Sequence, residues 1–173
     1  MDANKKGFSS KILAEIIIFV SLATILSYIK VGLPQGGSVT AGSMVPILWL
    51  ALRRGPKVGL FSATLHGVVQ LALEPYIYHP AQVLLDYPLA FGFLGVAGFF
   101  QKRPFIGVTL GIVGRFISHF ISGIVFFAPY APEGMHPAIY SALYNGSYLL
   151  IELAISIYII YLLRASKMLD IYM

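Results

Sequence analysis

The sequence predicts an all-α, polytopic membrane protein with six transmembrane helices and cytoplasmic N- and C-termini, folded as one domain over residues 1–173. Three observations carry this. Of 173 residues, 58% are hydrophobic and only 11% are charged, where a soluble domain has roughly 25% charged residues; the mean hydropathy is +0.81. The apolar residues gather into stretches long enough to cross a bilayer. The basic residues fall on alternate connections between those stretches, as they do in loops facing the cytoplasm.

The first span is predicted from about Ser10 to Ile29. Lys5, Lys6 and Lys11 lead into it as in a signal peptide, but no small-residue cleavage site follows, so it reads as an uncleaved helix. A short second span, Ala41 to Leu52, follows a connection carrying Gly32, Pro34, Gly36 and Gly37. The third runs from Val58 to Leu73, the fourth from Gln82 to Phe100, the fifth from Phe105 to Ala128 and the sixth from Ala138 to Leu163. Spans two and three are short for a hydrocarbon core of about 30 Å, which predicts that one is extended by its loop or tucked between neighbours. The outer connection Lys30 to Thr40 is rich in glycine and is expected to be mobile, a lid beside any cavity.

Charge tests the count independently. With the N-terminus inside, the cytoplasmic segments hold Lys5, Lys6, Lys11, Arg53, Arg54, Lys57, Lys102, Arg103, Arg164 and Lys167, ten of the twelve basic residues. Lys30 falls outside and Arg115 within a span. The formal charge of +5 is therefore distributed as membrane topology requires and forms no basic patch for nucleic acid. There are no cysteines, which removes disulfides, thiolate metal sites and a cysteine nucleophile. GxSxG, HExxH and P-loop patterns are missing too, so the chain reads as neither an enzyme nor an ATPase. No cofactor or metal is expected; His66, His79, His119 and His136 would have to converge from four segments to make a metal site. His79 and His136, beside prolines, read as solvated or capping residues.

Polar side chains within spans face protein or water because lipid penalises them. Glu15 reads as the partner of Lys11 on one helix face. His66 and Gln70 share a face of span three, with His66 expected to be a satisfied interhelical group. Asp86, in Leu85-Asp86-Tyr87-Pro88, is either a structural anchor or a site wall. On the fifth span Arg115, His119, Gly123 and Phe127 recur at every fourth residue and share a face. At 1.5 Å per residue, Arg115 lies about 15 Å from the inner surface and His119 about 6 Å further out. Glu152 falls within about 6 Å of Arg115 in depth, which predicts a structural ion pair. Glu74, His119, Tyr140 and Asn145 gather in the outer third, where a site open to the outside belongs. Tyr140 and Asn145 are about 140° apart on an ideal helix, so the helix start must be irregular or a ligand must reach across it. Trp49 reads as a packing or interfacial residue. Ser10 with Ala14, and Ala23 with Ser27, form a weak small-residue pattern for docking against another membrane protein.

Several runs carry a family resemblance: Leu73-Glu74-Pro75-Tyr76-Ile77-Tyr78-His79-Pro80, Leu84-Leu85-Asp86-Tyr87-Pro88-Leu89-Ala90-Phe91, Gly114-Arg115-Phe116-Ile117-Ser118-His119-Phe120-Ile121-Ser122-Gly123 and Tyr140-Ser141-Ala142-Leu143-Tyr144-Asn145. The chain resembles the thiamine-specific substrate-binding (S) component of energy-coupling factor (ECF) vitamin transporters over nearly its whole length. That resemblance implies a multi-pass protein of the cell membrane that binds thiamine from outside. Its partners would be a transmembrane coupling protein and two cytoplasmic ATPases. It places Glu74, His119, Tyr140 and Asn145 on the family's ligand-contacting positions, and Phe127 where the family can carry a tryptophan.

The chemistry agrees. Thiamine joins a permanent thiazolium cation to an aminopyrimidine, and a cation is attracted to aromatic faces such as Tyr76, Tyr140, Tyr144 and Phe127. Glu74 supplies charge or accepts hydrogen bonds, while Asn145 and neutral His119 both donate and accept. An S component for another vitamin shares the architecture, and a small membrane-embedded enzyme or channel is the alternative of a different class.

Overall fold

The computed structural model describes residues 7–34 and 36–167; Lys5 and Lys6, predicted to be cytoplasmic, lie outside the described residues. Among the described residues, six longer helical segments follow one another, α1 Ser10–Ser27, α2 Val45–Arg54, α3 Pro56–Leu73, a composite α4 Pro80–Phe100, α5 Pro104–Phe126 and α6 Pro137–Ala165, with a single 3-10 turn, Ala128–Tyr130, between the last two. Of these, α1, α4, α5 and α6 are long and apolar enough to cross a membrane. Among the described residues, one pair of strands interrupts the all-α pattern. Strands β1 Lys30–Gly32 and β2 Ser38–Thr40 pair antiparallel, with Lys30 opposite Thr40 and Gly32 opposite Ser38.

Helix starts follow local chemistry. Ser9 caps α1 by accepting from the Ile12 amide at 3.4 Å, and α2, α3, α5 and α6 carry proline in their first turn, where its missing N–H costs nothing. His79 and His136 cap α4 and α6, accepting from the Ala81 and Ala138 amides at 3.1 and 3.2 Å, as their place beside prolines predicts.

The packing is that of a bundle meant for lipid. Ile17, Ile18, Leu84, Phe99, Leu150 and Tyr158 face outward at 62–68% exposure, while Ser62, Ser118, Ser122, Ser141 and Ser156 are buried at 0–1%. A soluble domain of this size does not expose such continuous apolar surface. Short α2 is the tucked element: Val45, Pro46, Ile47, Leu48, Leu50, Ala51 and Leu52 are all buried. Trp49 packs edge-on against Phe19 at 5.4 Å and belongs to this packing layer. Helices α3 and α4 meet through small residues, which allow backbones to approach closely. A Cβ on Gly95 would stand 2.4 Å from the Leu60 amide nitrogen. Gly95→Val is therefore expected to cost about 2–3 kcal/mol through overpacking, read as a lower unfolding temperature in detergent with α-helical content retained.

The structure departs from the sequence expectations at three points. Glu15 pairs with α2 and not with Lys11: it accepts from Arg54 Nε at 2.6 Å and lies 3.8 Å from an Arg53 nitrogen. The N-terminal part of α1 faces the C-terminus of α2, so a guanidinium fork reaches the carboxylate first. Ala23 is fully buried in the core, and the Ser27 hydroxyl accepts from Gln70 Nε2 at 3.1 Å, so this pair packs internally; Ser10 and Ala14 are exposed. Finally, the fourth span is no uniform helix. It begins at Pro80, widens to a π turn over Leu85–Leu89 around Pro88, and tightens to 3-10 geometry from Phe93 to Phe100. Proline has no N–H to continue the α ladder, and a π turn absorbs the defect.

Candidate functional site

Helices α3 to α6 and the hairpin enclose a cavity of about 550 Å³, within the size range of small-molecule sites. All seven residues named from the sequence, Glu74, Tyr76, His119, Phe127, Tyr140, Tyr144 and Asn145, line it. Its wall is layered along the helices. Glu74, Tyr76, Phe127, Tyr130 and Tyr140 form the mouth, Gln70, Asp86, His119 and Asn145 a middle belt, and His66, Arg115 and Glu152 the inner end. From Tyr140 to Glu152 the helical rise amounts to about 18 Å.

The mouth is aromatic on both sides. Phe127 lies 5.8 Å from Tyr76, 6.1 Å from Tyr78 and 6.1 Å from Tyr130, and across the opening Tyr140, Tyr144 and Tyr148 follow one another at 6.0 and 6.3 Å. A hydrogen bond to Tyr130 pushes the Tyr76 phenol above its ordinary pKa, so this ring stays neutral at the mouth. Lys30 closes the rim: its Nζ donates to both Glu74 carboxylate oxygens, at 2.6 and 2.8 Å.

The middle belt is built on the π turn. It turns Asp86 toward α5, where Oδ1 meets His119 Nδ1 at 3.0 Å and Oδ2 accepts from Ser122 at 3.0 Å and from Gln82 Nε2 at 2.7 Å. Asp86 is thus both anchor and wall. Arg115 Nε donates to His119 Nε2 at 3.3 Å. A guanidinium can only donate, so Nε2 carries the lone pair and Nδ1 the proton that goes to Asp86: His119 is neutral with a fixed tautomer. The relay Arg115 to His119 to Asp86 holds the imidazole edge toward the cavity.

Asn145 is also internally bonded. Its Nδ2 donates to the Ser141 carbonyl at 3.0 Å and its Oδ1 accepts from Tyr148 at 3.0 Å. Gly123 lets α6 close on α5, since a Cβ there would collide with the Ser141 hydroxyl. Helix α6 is regular from Pro137 to Ala165, so irregularity does not bring Tyr140 and Asn145 together. The helix instead turns about half its circumference to the cavity, with Tyr140, Tyr144, Tyr148 and Glu152 at four-residue steps and Ser141 and Asn145 on the adjoining row.

The expected Arg115–Glu152 ion pair is absent among the described residues. Arg115 stacks over Phe91 with its guanidinium carbon 4.0 Å from the ring centre. Glu152 is claimed by the hairpin, where its Oε1 accepts from both the Thr40 amide and the Thr40 hydroxyl at 2.6 Å. His66 is half satisfied: Nδ1 lies 3.4 Å from the Thr24 hydroxyl, while buried Nε2 has no partner.

The connection Lys30 to Thr40 is held at several points. Gly36 and Gly37 have φ of 96° and 73°, and a Cβ on either would strike Tyr144 or Tyr148 at 2.5 or 2.6 Å. Glycine is thus required here for backbone conformation and for close approach, and the hairpin lies against α6. Sequence reasoning missed Tyr148, Gln82, Tyr87 and Tyr130 as wall residues. Tyr148 had a visible signal, the four-residue step from Tyr144, whereas Tyr87 lies within the π turn Leu85–Leu89, whose geometry a regular helical period does not give.

The family model described as thiamine transporter protein (Thia_YuaJ) matches residues 13–170. The chain is 38% identical over 157 residues to thiamine transporter ThiT of Bacillus subtilis (strain 168), covering 79% of this chain and 81% of that protein. It is 29% identical over 173 residues to thiamine transporter ThiT of Lacticaseibacillus paracasei, covering 86% and 84%. Among solved structures, ThiT from Listeria monocytogenes superposes with a TM-score of 0.81 at 29% identity, covering 92% of this chain and 96% of that one.

Proposed function

The chain belongs to the thiamine transporter protein family, and from that premise we propose that it is the high-affinity thiamine-binding S component of an ECF-type uptake transporter. In this reading the chain is a single domain of the cell membrane that crosses the bilayer six times, with both termini in the cytoplasm. It binds and delivers its vitamin without performing a reaction, and needs no resident cofactor or metal. A transmembrane coupling protein and two cytoplasmic ATPases supply the work.

The observation that carries the reading is the convergence of a two-sided aromatic mouth with a carboxylate and a belt of oriented amide and imidazole groups. Rings of Tyr76, Phe127, Tyr140 and Tyr144 take the thiazolium cation between them, with Glu74 as its counter-charge. His119 and Asn145 meet the aminopyrimidine, exchanging their bonds to Arg115 and Tyr148 for bonds to the ligand. Such an exchange keeps His119 Nε2 and Asn145 Oδ1 paired before and after binding.

Transport separates this reading from an enzyme or a channel. Vesicles holding the chain alone should bind thiamine and accumulate none, and uptake should appear when the coupling protein, the ATPases and ATP are added. Accumulation by the chain alone would contradict the reading. Exposed Ala14 on α1 gives the docking test: Ala14→Trp should abolish uptake with the partners present and leave thiamine binding by the purified chain unchanged. Unchanged uptake would move the docking surface to another helix.

A further inference from the structure

Among the described residues, the charged side chains lining the cavity are Lys30, Glu74, Asp86, Arg115 and Glu152. Lys30 and Glu74 cancel at the mouth, 2.6 Å apart. Asp86 meets only donors, from His119, Gln82 and Ser122, and His119 is neutral by the hydrogen-bond logic above. Arg115 offsets one of the two deeper carboxylates, and a single negative charge is left over.

Glu152 is where that surplus is least compensated. It is 3% exposed; Oε1 is held by Thr40 at 2.6 Å, Oε2 is buried with no partner, and no cation pairs with it among the described residues. A buried, incompletely paired carboxylate is costly, and its interaction with a second charge falls off only as the inverse of the distance.

We propose that Glu152 is a specificity-determining residue: its carboxylate leaves the cavity one negative charge in excess, matching a ligand that carries one positive charge and disfavouring phosphorylated forms of that ligand. The proposal rests on the thiamine reading and deepens it. A thiazolium alcohol brings the cavity to neutrality. Its phosphate ester adds about −1.5 to −2 charges, becomes net anionic, and restores the imbalance. The effect acts through space and requires no contact between Glu152 and the ligand.

Calorimetric titration of the purified full chain with thiamine, thiamine monophosphate and the neutral aminopyrimidine alcohol fragment tests this. Glu152→Gln keeps an oxygen to accept from Thr40 and removes the charge. It should weaken thiamine about tenfold, leave the neutral fragment within about twofold, and leave the monophosphate as tight or tighter. Glu152→Asp, which keeps the charge, should retain the wild-type order. A merely structural role would move all three ligands alike, so uniform loss, or no change, overturns the proposal. Wild-type protein that binds the monophosphate as tightly as thiamine overturns it without any variant. Wild-type protein that binds none of the three overturns the thiamine reading and this inference together, whereas tight thiamine binding with no charge-ordered response overturns this inference alone.

Discussion

Asp86→Ala is expected to destabilise the protein by about 3 kcal/mol and to cut thiamine affinity about a hundredfold or more. One carboxylate receives Gln82, Ser122 and His119, so its loss leaves three donors without an acceptor at the junction of α4 and α5. It also frees the imidazole that Arg115 and Asp86 hold between them. Thermal unfolding in detergent measures the first effect and calorimetry the second. Asp86→Asn, which can still accept from Ser122, should recover part of the stability but little of the affinity, because it no longer fixes the His119 tautomer. Full affinity in Asp86→Ala would remove the relay from the binding machinery.

Glu74→Gln and Asn145→Ala are each expected to weaken thiamine at least about tenfold with the fold intact. A charge-assisted contact is worth about 1.5–3 kcal/mol, and the half-exposed position of Glu74 places it at the lower end. Lys30 sharpens the prediction for Glu74. Its ammonium occupies the carboxylate and must yield to the thiazolium, so Lys30→Gln should leave affinity unchanged or raised. Calorimetry on the two single variants and the double variant resolves the coupling. Weaker binding in Lys30→Gln would mean that Lys30 supports the ligand rather than competing with it.

Much of this architecture could be read before any coordinates. The helices fall along the apolar runs, because lipid leaves the chain few other options. The outer cluster of polar and aromatic residues was equally legible, since four-residue steps put Arg115, His119, Gly123 and Phe127 on one face. What escaped has specific physical causes. Depth arithmetic fixes height but not direction around an axis, so Arg115 and Glu152 were matched in level while their side chains turn to Phe91 and Thr40. Three-residue strands are too short to show an alternating pattern, and the glycines that suggested mobility are the ones that let the hairpin lie against Tyr144 and Tyr148. Pro88 was plain in the sequence, but the π turn around it depends on how α4 packs. That turn carries both Asp86 and Tyr87 to the cavity wall.

In the proposed reading this cavity selects thiamine. Because Trp49 packs on Phe19 away from the cavity, intrinsic fluorescence is a poor reporter, and calorimetric titration of the purified chain is the direct measurement. The account predicts one-site binding of thiamine with no measurable heat from riboflavin or biotin at the same concentrations. Silence with thiamine, or saturable binding of riboflavin or biotin of equal strength, would contradict it.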